Sequence, residues 1–351
     1  MSATAPDLVP TAPGCVKELP GDDYYLTPSC ILGALNPGTE VLIGRIYDLL
    51  GLRWKTGGGP NSQCSCCSGI LSHGDVMTIE STLLVVARIW SIAAELGLEN
   101  ITTACVTSFS IHAECLELYH QEAGLAEKVD RWLRAACGRK LVFPRIVMHA
   151  SDIVWKHRAR LAREHLKYRL TDARTGRPLR VVEHVGCHYN KLFQQKSVGG
   201  AEYCDVLTGM IREWGGAEVD YPERRHCCGM GFRQCMIRPN RSFTMACARK
   251  KFESMGPYGP DLMLTNCPGC TKILDGEQWA VNEMTGSNFQ IPVLNYAELV
   301  GLLLGWDPYD VVGIQGKTVP VEPLLDRIGI PQSASPAYAR DDALTTVAGS
   351  R

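Results

Sequence analysis

Nine cysteines of this sequence fall into two sets that share one layout. The later set is Cys187, the doublet Cys227-Cys228 followed by Gly229, and the pair Cys267-Pro268-Gly269-Cys270. Between Cys187 and Cys227 lie 39 residues, and between Cys228 and Cys267 lie 38. The earlier set is Cys30, Cys66-Cys67 and Cys105. Adjacent thiols gain nothing structural unless something binds them. The CxxC pair alone fits zinc, an iron–sulfur cluster or a redox dithiol. The doublet narrows that choice, because neighbouring side chains point in different directions. Such a pair chelates one small ion poorly but can reach separate irons of a cluster. Five thiolates also exceed the four of tetrahedral zinc and the four of an ordinary cubane. The later set therefore asks for a cluster of unusual ligation, in which some sulfur bridges two irons.

Something must hold each set in place, and the chain between the cysteines has a repeating order. A strand Tyr24–Thr27 leads to Cys30, a strand near Ile101 to Cys105, a strand Val181–Val185 to Cys187, and a strand Asp261–Thr265 to Cys267. Between them run helical patterns, with Leu42, Ile46, Leu49 and Leu50 on one face, then Val86, Trp90 and Ala93. In the second half Leu207, Met210, Ile211 and Trp214 do the same. A long helix is predicted over Ala113–Ala136, a strand over Arg145–Met148, a helix over Tyr203–Trp214, a strand over Ala217–Tyr221 and a helix over Ser242–Ser254. Arg145–Val154 aligns without a gap on Ile291–Val300. This is an internal duplication with a period of about 150 residues. Strands alternating with helices predict an α/β fold: two pseudo-symmetric repeats, each with a small parallel sheet flanked by helices. Ligands gather at the carboxyl ends of such strands, where Cys30, Cys105, Cys187 and Cys267 fall.

The bulk numbers exclude some classes. Net charge is −1 and 45% of residues are apolar, which is a globular composition without the basic face a nucleic-acid binder needs. Sixteen cysteines in 351 residues would suit a disulfide scaffold or a set of metal ligands. The start lacks the basic flank and apolar core of a secretory signal, and no apolar run is long enough to span a membrane. These features place the thiols in the cytoplasm, holding metal. Gly57-Gly58-Gly59-Pro60 is no phosphate cradle, because no Lys-Ser/Thr pair follows it. The basic run from Trp155 to Arg169 reads as a solvated helix face, or as a docking site for an acidic partner.

The later set, with His184-Val185-Gly186-Cys187-His188-Tyr189, Asp220-Tyr221-Pro222-Glu223-Arg224 and Ile291-Pro292-Val293-Leu294, resembles the CCG cysteine-rich domain found in the B subunits of heterodisulfide reductases. The resemblance covers roughly residues 20 to 315. It implies a first, degenerate CCG domain over 23–174 and a second, complete one over 175–315; composition marks a flexible arm over 1–22, rich in Pro, Ala and Thr, and a C-terminal extension over 316–351 whose small, polar tail from Gln332 reads as mobile. The resemblance also implies that Cys187, Cys227, Cys228, Cys267 and Cys270 hold a noncubane 4Fe–4S cluster. In that family two such clusters face one another and a disulfide is cleaved or formed between them. The implied role is an oxidoreductase component acting on sulfur, making or breaking S–S bonds of a small thiol or disulfide. Expected partners are a small subunit with cubane clusters and a flavin subunit. In the sulfur-oxidising bacterial branch, which the altered first repeat favours, a lipoate-binding protein is the expected substrate carrier.

The first set departs from the pattern. Cys30, Cys66, Cys67 and Cys105 match, but Ser108 stands where the last cysteine belongs, and Ser68 precedes Gly69 after the doublet. Four thiolates suit a 4Fe–4S centre or zinc; Ser108 or Cys64 could also complete a noncubane cluster. Cys15, Cys115, Cys137, Cys204, Cys235 and Cys247 read as bystanders. His188 and His226 flank ligands and could deliver a proton, or hydrogen-bond to sulfur or backbone. Without a Rossmann or flavin motif the chain cannot handle hydride itself. Two rival readings are an electron-transfer subunit of lactate, glycolate or glycerol-3-phosphate oxidation and a zinc-holding scaffold protein.

Overall fold

Short apolar runs of this sequence become parallel strands buried on both faces, as expected where helices cover a sheet on each side. The computed structural model describes residues 7–12, 15–19, 23–57, 66–74, 76–190, 198, 204–230 and 242–332. In the first half the strands are β3 (Asp23–Thr27), β4 (Arg53–Thr56), β5 (Asn100–Thr103) and β6 (Ile146–His149), in the sheet order β4-β3-β5-β6. In the second half they are β7 (Arg180–His184), β8 (Ala217–Glu218), β9 (Leu262–Thr265) and β10 (Val293–Asn295), in the order β8-β7-β9-β10. Every pairing in these two sheets is parallel. The two orders are the same, and the registers agree: Thr27 pairs with Thr103 as His184 pairs with Thr265. The predicted α/β class and duplication are borne out.

The gapless alignment past the cysteines has a local cause. At the end of β6, His149 caps the helix Ala150–Lys156 and Asp152 bonds back to the His149 N–H. At the end of β10, Asn295 caps the helix Tyr296–Leu303 and Glu298 bonds back in the same way. Both are capping boxes, which fix the angle at which each helix leaves its strand.

Several expected boundaries move. The predicted loose arm pairs with itself: β1 (Asp7–Ala12) and β2 (Cys15–Leu19) form an antiparallel hairpin. The single helix expected over Ala113–Ala136 is two, Val106–Gln121 and Leu125–Cys137, broken at Gly124 with φ 79°. The first of them begins immediately after Cys105. β4 is absent from the apolar pattern because it is a polar edge strand, with Arg53, Lys55 and Thr56 exposed. β8 is two residues long instead of running to Tyr221. The helix expected from Tyr203 starts at Val206; Tyr203 itself, Cys64, Cys235, residues 58–60 and the tail from 333 lie outside the described residues.

The basic run does not present a uniform solvated face. Arg158 stacks over Trp155 at 4.0 Å, Arg160 donates to the Leu50 carbonyl (3.2 Å) and to Glu164 (3.1 Å), and Arg169 donates to the Ala162 carbonyl (2.5 Å). Residues after 315 pack on the core, with Val321, Leu324, Leu325, Ile328 and Ile330 buried. Arg327 bridges Asp172 (3.3 Å), in the turn before β7, and Asp261 (2.5 Å), just before β9.

Candidate metal centre

Four of the nine thiols are placed by the same construction. Cys105 and Cys267 follow β5 and β9 as the extended capping residues of the helices Val106–Gln121 and Pro268–Gly276, with φ −133° and −102°. Cys30 and Cys187 open the helices Cys30–Leu35 and Cys187–Asn190 after β3 and β7. A helix start favours a thiolate, since its free N–H groups point at the sulfur. Cys270 lies one turn into its helix, and Ser108 occupies the matching place one turn after Cys105. The doublets arrive on loops behind β4 and β8.

All nine predicted cysteines line one cavity, together with Ile31, Val106, Thr107, Ser108, His188 and Met230. Cys30 is exposed, Cys66, Cys187 and Cys227 are half-buried, and the other five are buried. The lone cysteine and the first of each doublet thus form the mouth, and the remainder form the floor. All nine are free thiols. Cys228 Sγ lies 3.1 Å from Cys270 Sγ, and Cys66 Sγ lies 3.9 Å from Cys67 Sγ. The Gly229 N–H donates to Cys227 Sγ and the Gly69 N–H to Cys67 Sγ, each at 3.3 Å.

Three of these sulfurs are held low by their neighbours. Hydrogen bonds from Cys30 and then Cys67 hold Cys66 far below the ordinary thiol range. Cys187 and Cys228 do the same for Cys227, and Cys105 and Cys270 for Cys267. The donating thiols are pushed up in return. The third group matters most, because Cys105 belongs to the first half and Cys267 to the second. At this seam Gly186 is pressed close, and a Cβ there would stand 3.1 Å from Val106 Cγ2 and 3.3 Å from Cys267 Cβ.

The doublets turn alike. Gly229 has φ 90°, and Ser68, which follows Cys67, has φ 58°. Ser68 thus holds the left-handed conformation that glycine takes in the second half, at a cost of about 1–2 kcal/mol for a residue with a Cβ. Ser108 is buried, its Oγ has no hydrogen bond of normal geometry, and its hydroxyl faces Cys67, as Cys270 faces Cys228. Nine free thiols that line one cavity and face mainly one another fit a sulfur-ligated metal group.

A family profile described as CCG, cysteine-rich domain, matches residues 181–275. The B subunit of the ferredoxin:CoB-CoM heterodisulfide reductase of Methanosarcina acetivorans is 29% identical over 323 residues, which is 90% of this chain and 99% of that one. The chain is thus similar to heterodisulfide reductase B subunits over nearly their whole length. A protein of Archaeoglobus profundus, described as similar to the heterodisulfide reductase B subunit, is 26% identical, over 83% of this chain and 93% of its own length. A hypothetical protein of Helicobacter pylori, known from a crystal structure, shares the fold with a TM-score of 0.61 at 10% identity. That likeness covers 86% of this chain, which spans about half (53%) of the Helicobacter protein.

Around the CCG doublet the structure adds residues that spacing alone did not single out. Lys251 is fully buried, and its Nζ donates to Tyr221 Oη (3.0 Å) and to the carbonyls of Glu223 (2.9 Å) and Arg224 (3.1 Å). It fixes the turn that leads into Cys227, and burial pushes its pKa down to about 8. Its signal was present: Lys251 lies on the buried stripe of the helix Ser242–Met255, with Thr244, Cys247, Ala248 and Met255. Cys247 is also no distant bystander, because its Cβ packs 3.3 Å from where a Gly229 side chain would begin. Cys115 and Cys204 are buried outside the cavity lining, and Cys137 is exposed.

The two flanking histidines differ. His188 lines the cavity; its Nδ1 is 3.0 Å from Thr107 Oγ1, and its ring centroid is 4.6 Å from that of His73. Burial lowers its pKa to about 4. His226 lies outside the cavity lining, 3.8 Å from Glu223. Among the described residues no helix is long and apolar enough to cross a membrane.

Proposed function

We propose that this chain is the iron–sulfur catalytic subunit of a heterodisulfide-reductase-like complex, an oxidoreductase that makes or breaks an S–S bond. The observation that carries this reading is the convergence of both cysteine sets on one cavity, which Cys105 of the first and Cys267 of the second both line. Cys187, Cys227, Cys228, Cys267 and Cys270 are the residues that would hold a noncubane 4Fe–4S cluster. Cys30, Cys66, Cys67 and Cys105 would hold a second centre, with Ser108 in the fifth position. The four thiolates alone also suit zinc there. When bound, the iron–sulfur group supplies one-electron transfer and an iron site for sulfur.

The chain's own residues supply the setting. Metal binding must displace the protons held by Cys30, Cys67, Cys105, Cys187, Cys228 and Cys270, so loading releases protons. Ile31, Val106 and Met230 make the cavity wall apolar and limit water around the sulfurs. The half-buried Cys187 and Cys227 mark the side from which a sulfur compound would enter. Cleaving a disulfide to two thiols takes two electrons and two protons; formation returns them. Partner subunits exchange the electrons: a small subunit with cubane clusters and a flavin subunit, by the resemblance of this chain to heterodisulfide reductase B subunits. A lipoate-bound sulfur is the proposed substrate.

Anaerobic purification with metal analysis tests the reading. About four irons or more per chain are expected; zinc without iron sinks it. Cys227→Ser and Cys228→Ser should each lower the iron content and alter the paramagnetic signal. Full iron and an unchanged signal would overturn the five-thiolate assignment.

A further inference from the structure

His184 ends β7 with its ring inside the protein, 3% exposed, and neither Nδ1 nor Nε2 makes a hydrogen bond of normal geometry. A buried polar group left unpaired costs about 1–3 kcal/mol, so such a side chain calls for an explanation. One ring nitrogen, Cys228 Sγ and Cys270 Sγ all lie within 4.8 Å of one another. The first repeat has Thr27 at the same register, and its hydroxyl is satisfied by the Thr102 carbonyl at 3.2 Å. A nitrogen without a normal hydrogen bond is therefore a feature of the second set alone.

We propose that His184 is a metal ligand: its ring nitrogen, Cys228 Sγ and Cys270 Sγ hold one thiophilic divalent cation, such as zinc, cobalt or ferrous iron, when no cluster fills the cavity. An imidazole and two thiolates are the donor mixture that such ions prefer. Donors at roughly 2.0–2.3 Å from a tetrahedral ion stand about 3.6–3.8 Å apart, so the three atoms need little adjustment. Cys267 lines the same cavity as the capping residue of the helix that carries Cys270, and is the candidate for the fourth position. This site does not depend on the cluster reading, since it is filled in the iron-free chain.

The test is an anaerobic cobalt(II) titration of the full, reduced, iron-free chain, with Cys30→Ser and Cys66→Ser together silencing the first set. One equivalent is expected to bind with intense tetrahedral visible bands and a thiolate-to-cobalt band in the near ultraviolet. His184→Ala should weaken binding by at least ~10-fold and shift the visible bands, since even outer-shell changes cost 10–100-fold. His184→Gln serves if the alanine variant does not fold. X-ray absorption of the zinc form of the same background needs no further variant: a nitrogen shell near ~2.0 Å beside sulfur near ~2.3 Å is expected. An all-sulfur shell, or unchanged affinity and bands in both His184 variants, overturns the proposal. A chain that binds cobalt through His184 but gains no iron on reconstitution would sink the cluster reading and leave this one standing.

Discussion

Replacing Gly229 by Ala adds a Cβ where the structure has no room for one. Its ideal position is 2.8 Å from Thr244 Cα and 3.0 Å from the Thr244 carbonyl oxygen, both backbone atoms that cannot swing aside. The residue is also at φ 90°, a conformation that costs a side-chain-bearing residue about 1–2 kcal/mol. Overpacking against fixed atoms adds about 1–3 kcal/mol. The lower chain entropy of unfolded alanine returns about 0.5–1 kcal/mol in the opposite direction. The expected net loss is about 2–4 kcal/mol, a large part of the roughly 5–15 kcal/mol that holds a domain folded. Urea unfolding of the reduced, metal-free chain measures it. Two companions make the comparison specific. Gly33→Ala, where nothing lies within 4 Å of the new atom, should be neutral or slightly stabilising in its helix. Ser68→Gly relieves the left-handed strain but loosens the unfolded chain, so its change should stay within about 0.5 kcal/mol. If Gly229→Ala unfolds at the same urea concentration as Gly33→Ala, the clamp between the doublet turn and the helix Ser242–Met255 is not as described.

Two further outcomes follow from buried charge. Lys317 Nζ lies 2.6 Å from Glu298 Oε2, with both side chains almost fully buried; Lys317→Met strands a carboxylate and should cost about 3–5 kcal/mol, much of it recovered when Glu298→Gln is added. A single variant no weaker than the double would refute the pairing. His112 is fully buried, its Nδ1 accepts from Trp90 Nε1 at 2.9 Å, and burial lowers its pKa to about 4. Because the folded ring resists the proton that the unfolded ring takes near pH 6.5, its contribution is present above that pH and is lost as pH falls toward about 4. The loss amounts to up to about 3 kcal/mol. Unfolding measured from pH 7 to 4 should show a slope smaller by about one proton in His112→Gln; an unchanged slope rejects the assignment.

The nine thiols, their grouping and the duplication were all legible in residue types and spacing, because cysteine chemistry and strand-then-helix order are local. The paired capping residues His149 with Asp152 and Asn295 with Glu298 are equally local, and they carry the gapless alignment. The polar edge strand β4 and the hairpin near the start were not legible. Both are defined by backbone pairing, and β4 has no apolar alternation to announce it. Lys251 looked like any lysine until the helix Ser242–Met255 turned its stripe inward. His184 was visible as a residue of the motif, but its two nitrogens lack normal hydrogen bonds only because β7 ends inside the packed molecule. Sequence by itself determined which side chains could bind metal and the backbone turns that aim them. Tertiary structure decided which of them meet. Cys105 and Cys267 are far apart along the chain, and what joins them is the pressing of Gly186 against Val106 where the two halves pack. That contact reflects burial of apolar surface between the halves, which no spacing of cysteines encodes.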